Sequence, residues 1–175
     1  MPALIWRVTA LLATTLTNFA MNSPEKIMFK NRLKDFCVQL LKERLKTTTD
    51  LITAAQDSAN NEGKSSAGDK YETGRAMGHL QKEMYQQQAE KIRHELLIAN
   101  ATDTVLNPGI IKQGSAIITD DLVIFICVGL GKKIIEGKTV LFVSGGSPLF
   151  KLLYSRKPAD SIVIDRKQSV IREIY

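Results

Sequence analysis

Cysteine and histidine are nearly missing from this chain of 175 residues, which has two of each. Cys37 and Cys127 are flanked by large apolar residues, and His79 and His94 stand fifteen positions apart on one predicted helix. That excludes a disulfide scaffold and a self-contained cysteine and histidine zinc site. The Gly-x-x-x-x-Gly-Lys phosphate loop and the Gly-x-Ser-x-Gly nucleophile elbow are absent as well. Gly129-Leu130-Gly131-Lys132 follows a strand but opens no helix, so it reads as a hairpin turn rather than a nucleotide loop. Cys127, between Ile126 and Val128, reads as a structural thiol in a core strand rather than the nucleophile of an acyl-transferring enzyme. Long apolar runs are lacking too. The stretch from Val8 to Ala20 is apolar and threonine-rich, but it is short for a membrane span, which needs roughly 20 predominantly apolar residues.

What is present is an ordinary folding composition, 44% hydrophobic and 24% charged. Its length supports one domain or two small units and excludes a large multidomain enzyme. The formal charge is +6; it is spread over both halves of the chain and makes poor evidence for direct nucleic-acid binding. Residues 1 to 21 carry one charge, Arg7. This segment is expected to be an N-terminal extension outside the fold, with Met21 or Met28 as an alternative start, or else a weak export signal.

From Phe29 to about Asn60 the apolar positions Leu33, Phe36, Cys37, Leu40, Leu41, Leu45, Leu51, Ile52 and Ala55 recur by threes and fours, which predicts one long amphipathic helix. Asn60 to Gly68 is a cluster of helix breakers and cappers. Met77, Leu80, Met84, Ile92, Leu96 and Ala99 then repeat at similar spacing. Two helices joined by a short polar turn predict an antiparallel coiled-coil hairpin over 28 to 100, with its tip near 60 to 72.

After a linker at 101 to 109, closed by Asn107-Pro108-Gly109, the pattern becomes strand-like. Five short β-branched runs, Ser115 to Thr119, Leu122 to Val128, Thr139 to Val143, Ser161 to Ile164 and Ser169 to Glu173, predict a small antiparallel sheet over 110 to 175. Ser147 as N-cap and Pro148 at the first helical position predict one short helix against it. The fold class is α+β. A unit this small leaves little room for a pocket.

The hairpin turn carries the chemistry. Gly68-Asp69-Lys70-Tyr71-Glu72 places Asp69 and Glu72 three residues apart at the start of the second helix, both on one side of the tip. The same pair has the form of a capping box, and acids at a helix N-terminus are stabilised by its dipole. Both readings stand on the residues alone.

These residues resemble the Gly-Asp-x-x-Glu tip signature of the bacterial Gre transcript-cleavage factors (GreA/GreB), most closely a divergent Gre-like subgroup. Gly137-Lys138, then Val143-Ser144 with Ser147-Pro148-Leu149, then Arg156-Lys157-Pro158-Ala159-Asp160 resemble that family's C-terminal pattern, so the resemblance covers about residues 28 to 175. It implies an FKBP-like C-terminal domain and a cytoplasmic elongation factor that binds RNA polymerase, with Ser147, Pro148 and Leu149 at the contact. The coiled coil would enter the polymerase's secondary channel and promote cleavage of backtracked RNA. Asp69 and Glu72 would be the catalytic and metal-coordinating pair. Their Mg would be shared with polymerase, and the isolated protein would bind no cofactor and be no enzyme by itself. Lys64, Lys70 and Arg75 would be tip contacts; nascent RNA would be met only inside the complex, with no membrane and no small-molecule substrate. Thr73 and Gly74 follow Glu72 where GreA/GreB carry Asn, and Ala159 stands where glycine is usual. The alternatives are a non-catalytic secondary-channel regulator and a coiled-coil interaction module.

Overall fold

The computed structural model describes residues 21 to 62 and 68 to 175. Helix α1 spans Ser23–Glu62 and helix α2 spans Gly68–Ala101; at 1.5 Å per residue they are about 60 and 51 Å long. Helix α1 begins six residues before the expected Phe29 because a reciprocal cap starts it. The Asn22 side chain accepts from the Glu25 N–H at 2.9 Å, and the Glu25 carboxylate accepts from the Asn22 N–H at 2.9 Å. Pro24, in that first turn, has no amide hydrogen to lose. Further on, Thr47, Thr48 and Thr49 each donate a hydroxyl to the carbonyl four residues back, which lets three β-branched polar residues continue the helix.

The helices lie side by side and run in opposite directions: Lys34 Nζ reaches the carbonyls of Asn100 and Thr102, and Lys82 Nζ reaches Gln56 Oε1. Leu41, Ala55, Ala89, Ile92 and Ala99 are buried along the pair, and the three alanines allow close approach. Only part of the expected apolar stripe is covered. Leu51, Met77, Leu80 and Met84 remain exposed, because among the described residues only the partner helix lies beside them.

Six strands follow: β1 Ala116–Thr119, β2 Val123–Cys127, β3 Gly131–Ile135, β4 Lys138–Ser144, β5 Ser161–Ile164 and β6 Lys167–Ile174, with helix α3 at Pro148–Leu153. They form one sheet in the order β3-β4-β2-β1-β6-β5. The sheet is mixed rather than antiparallel, because β2 and β4 pair in parallel, Val123 with Val140 through Cys127 with Ser144. The sequence reading missed β3. The hairpin expected at Gly129 to Gly131 lies instead between β3 and β4, at Glu136 and Gly137, both with positive φ. Gly129 and Leu130 carry the chain past the place where β4 inserts.

Both sheet faces are covered, which is why every residue of β2 is buried. On one face Ala116, Ile118, Val123, Phe125, Cys127, Val140 and Phe142 pack with Phe29, Leu33, Cys37 and Leu41 of α1. Phe36 stacks on Phe142 with ring centroids 5.8 Å apart, and Phe125 meets Phe142 edge-on at 6.0 Å. On the other face Ile117, Ile124, Ile126, Val143, Ile171 and Ile174 pack with Leu149, Phe150 and Leu153 around α3. Ile171 and Ile174 share that face despite their odd spacing because the β1–β6 register shifts between Ile118 and Thr119, as a bulge allows. Each fully buried Phe or Ile contributes about 1.5–3 kcal/mol, so the base of α1 and the sheet hold together as one body.

The segment expected as a linker is fastened down. Thr102 is buried, Lys30 Nζ donates to the Val105 carbonyl at 2.8 Å, and Thr104 Oγ1 donates to Asn31 at 2.6 Å. At Gly114, φ is +85° and an added Cβ would stand 1.8 Å from the Asp103 carbonyl oxygen. Only glycine lets the chain pass so close.

Candidate functional site

Helix α2 begins at Gly68, so Asp69 and Glu72 fall in its first turn at a separation of three residues, on one face of the helix. Asp69 therefore stands inside the helix rather than at its N-cap, and the expected capping box is displaced. The helix's aligned peptide dipoles still favour negative charge at both positions. Lys70 and Arg75 lie on the same helix. The structure describes the backbone of these four residues but not their side chains. Lys64, in the segment joining the two helices, lies outside the described residues, as does the extension at 1 to 20.

The body of the protein lies far from this turn. Leu45 is the last α1 residue packed on the core that joins helix and sheet. From there to Glu62 is about 25 Å at the helical rise. Where the helices leave the sheet there is an open groove of about 610 Å³, lined by Leu40, Arg44, Leu51, Lys91 and Glu95 with Gly129 at its edge. It mixes charges of both signs and converges on no single group.

Ser147 takes the position its sequence predicts. It has φ −74° and ψ 152°, its hydroxyl accepts from the Phe150 N–H at 3.1 Å, and Pro148 follows as the first helical residue. Leu149 packs into the second core. The three residues expected at a polymerase contact thus form one capped corner, in which Pro148 is exposed and Ser147 half-buried.

The cysteines are the pairing that sequence reasoning missed. Cys37 on α1 and Cys127 on β2 are free, fully buried and packed in the same core. The neighbouring Cys127 thiol and burial push the Cys37 thiol well up. Thr102 Oγ1 lies 3.5 Å from the Cys127 sulfur. No spacing in the sequence announces a contact across 90 positions; only the packing of α1 on the sheet creates it. His79 and His94 are both exposed.

Among the described residues no group of three or more His, Cys, Asp or Glu side chains could hold a metal ion, and no helix is long and apolar enough to cross a membrane. Comparisons with protein-family models, curated proteins and solved structures give no match.

Proposed function

We propose that this chain is a transcription elongation factor of the Gre type. It binds bacterial RNA polymerase through an FKBP-like sheet domain and carries two acids into the secondary channel on a coiled-coil hairpin. The observation that supports this most is the placement of Asp69 and Glu72, three residues apart in the first turn of α2, beyond a helix pair that, among the described residues, is anchored to the sheet at its base. A capping role alone gives no reason for so long a carrier.

The donor set suits the task. Carboxylate oxygens are the ligands that Mg²⁺ prefers, and two of them are too few for its octahedral shell, so the polymerase must supply the rest. A shared Mg²⁺ supplies Lewis-acid activation and charge neutralisation for phosphodiester hydrolysis. This chain's own part is to bring the two acids in and fix their spacing, with Glu72 accepting a hydrogen bond from the attacking water. Lys64, Lys70 and Arg75, close to the acids in the sequence, bring positive charge that suits RNA phosphates. Ser147, Pro148 and Leu149 form the corner that faces the polymerase.

The test is to incubate stalled, backtracked elongation complexes with the protein and Mg²⁺, beside the double variant Asp69→Ala, Glu72→Ala. The protein is expected to shorten the transcript. The variant is expected to lose at least about 100-fold in rate, ~2.7 kcal/mol of transition-state stabilisation, while still binding polymerase. Binding without shortening would assign the chain to the non-catalytic regulators, a reading that Thr73 and Gly74 favour. No binding would overturn both.

A further inference from the structure

On the α3 side of the sheet the fold joins cations from two distant segments. The chain entering β1 and the chain leaving α3 run close together and leave an open groove of about 320 Å³ between them, in a unit expected to have little room for a pocket. Ile110 and Lys112 stand on one wall, and Tyr154, Arg156 and Lys157 on the other. Ile111, which belongs to the second core, makes the floor.

Three cations line the groove, and no acid does. Lys112, Arg156 and Lys157 are exposed and form no ion pair among the described residues. Arg156 engages only its Nε, which donates to the Leu152 carbonyl at 3.4 Å, so its two terminal nitrogens have no partner among the described residues. Asp160, the nearest acid in the sequence, turns its carboxylate to the Lys157 backbone N–H at 2.9 Å. Two apolar surfaces stand among these charges. Tyr154 is 67% exposed and Ile110 60%, and Phe150 meets the Tyr154 ring at a steep angle, with centroids 5.9 Å apart. That contact directs the ring while leaving most of it open.

Cations without acids select an anion. A lone phosphate or carboxylate would satisfy them and leave Tyr154 and Ile110 bare. An acidic peptide offers a charge or an apolar group at each residue, not both. A single nucleic-acid strand offers both in every unit, a phosphate for the cations and a flat ring for the tyrosine. A duplex keeps its rings inside the stack, where Tyr154 cannot meet them. We propose that this groove binds single-stranded nucleic acid. One base stacks on Tyr154 beside Ile110, and the adjoining phosphates take Lys112, Lys157 and the Arg156 fork, whose planar donors suit phosphate oxygens. No tip residue and no polymerase takes part, so this site stands or falls apart from the elongation-factor reading.

The full chain is titrated into fluorescein-labelled oligouridylate of about eight nucleotides, a length that one such groove can cover, and followed by fluorescence anisotropy. Saturable binding is expected, with log affinity falling against log salt at a slope of about −2, since each phosphate contact on a single strand gives about −0.7. Affinity should then drop about 20-fold between about 50 and about 200 mM salt. Tyr154→Leu keeps an apolar side chain and removes the ring; it is expected to weaken binding about fivefold or more at an unchanged salt slope. Arg156→Gln with Lys157→Gln is expected to weaken binding and bring the slope to about −0.7. Lys132→Gln with Lys133→Gln, on β3 outside the groove, is expected to stay within about twofold of the parent. Each variant is expected to keep the parent's circular dichroism spectrum. Oligothymidylate of the same length binding as well supports the proposal, because neither the cations nor the ring reads the 2′-hydroxyl. No saturable binding up to about 100 μM protein overturns it, as does unchanged affinity for Tyr154→Leu or an equal loss with the β3 pair. Equal binding of labelled octaglutamate would make the groove a site for acidic proteins, and equal binding of a duplex would reduce it to general charge attraction; either result also overturns the proposal.

Discussion

Lys30 is a buried lysine in the helix base. It is 1% exposed, and burial draws its amine from the usual 10.5 down to about 8, with nearby Asp103 opposing the fall and Lys112 adding to it. Between pH 8 and 10.5 the unfolded chain holds a proton at this residue that the folded chain has released. Lys30's contribution to stability therefore improves as pH rises through that window, and below it the charged amine opposes folding in full. Lys30→Met should raise unfolding stability at pH 7 by about 1–3 kcal/mol. The Val105 carbonyl would keep the Asn107 side chain at 2.8 Å. Urea unfolding of both proteins at pH 7 and pH 10 checks this. The gap between them must narrow at pH 10, and a constant gap would refute the burial argument. Nothing in the sequence marked this lysine, because its spacing puts it beside the apolar stripe and only the segment after α2 closes over it. The residues of the stripe itself, Leu33, Cys37 and Leu41, were legible because burial at helical spacing depends on local sequence alone.

Among elements, the turn from α3 into β5 tests what one side chain costs. Asp160 organises it: its carboxylate accepts from the Lys157 N–H at 2.9 Å, and its carbonyl accepts from Ile171 at 2.9 Å. Ala159, just before it, donates to the Ile171 carbonyl at 2.8 Å and adopts φ +77°, a region that an alanine reaches only at a cost of about 1–2 kcal/mol. Ala159→Gly should therefore stabilise the protein by about 0.5–1 kcal/mol after glycine's greater unfolded-state freedom is subtracted. The midpoint in a thermal melt should rise by about 1–4 °C, and a fall would mean that the methyl group packs usefully. The strand pattern explains what was readable here. Ile162 and Ile164 alternate inward on β5, and such alternation announces a strand. Strand β3 exposes most of its length, with Lys132 and Lys133 where apolar residues would have revealed it. Parallel pairing of β2 with β4 leaves no local trace at all, since it depends on where a hairpin inserts.

At the scale of the whole molecule, burial is concentrated at one end. The helix base shares a core with the sheet, whereas farther out, among the described residues, the pair buries little beyond Thr48, Ala55 and Ala89, and Met77 and Met84 are each 62% exposed. Regions with few buried apolar contacts open at lower free energy. Amides at 50 to 58 and 76 to 86 should exchange at least about tenfold faster than those at 33 to 41 and 92 to 99, a difference of ~1.4 kcal/mol or more. Uniform protection would show that the outer pair is stabilised by something other than its seam. The place of Asp69 and Glu72 in the first turn of α2 was legible because a helix start is a local feature, whereas the ion pair of Lys132 with Asp165 joins residues near the two ends of the sheet and has no local signature.

Lys26, in the first turns of α1, is paired with Glu173, 147 positions later, while Ala116 exchanges both backbone hydrogen bonds with Tyr175. Contacts that close such long loops form late, whereas two helices joined by a short segment need only local encounters. As the chain leaves the ribosome, the arm that carries Asp69 and Glu72 can therefore assemble before the body that anchors it, and the body waits for its final strand.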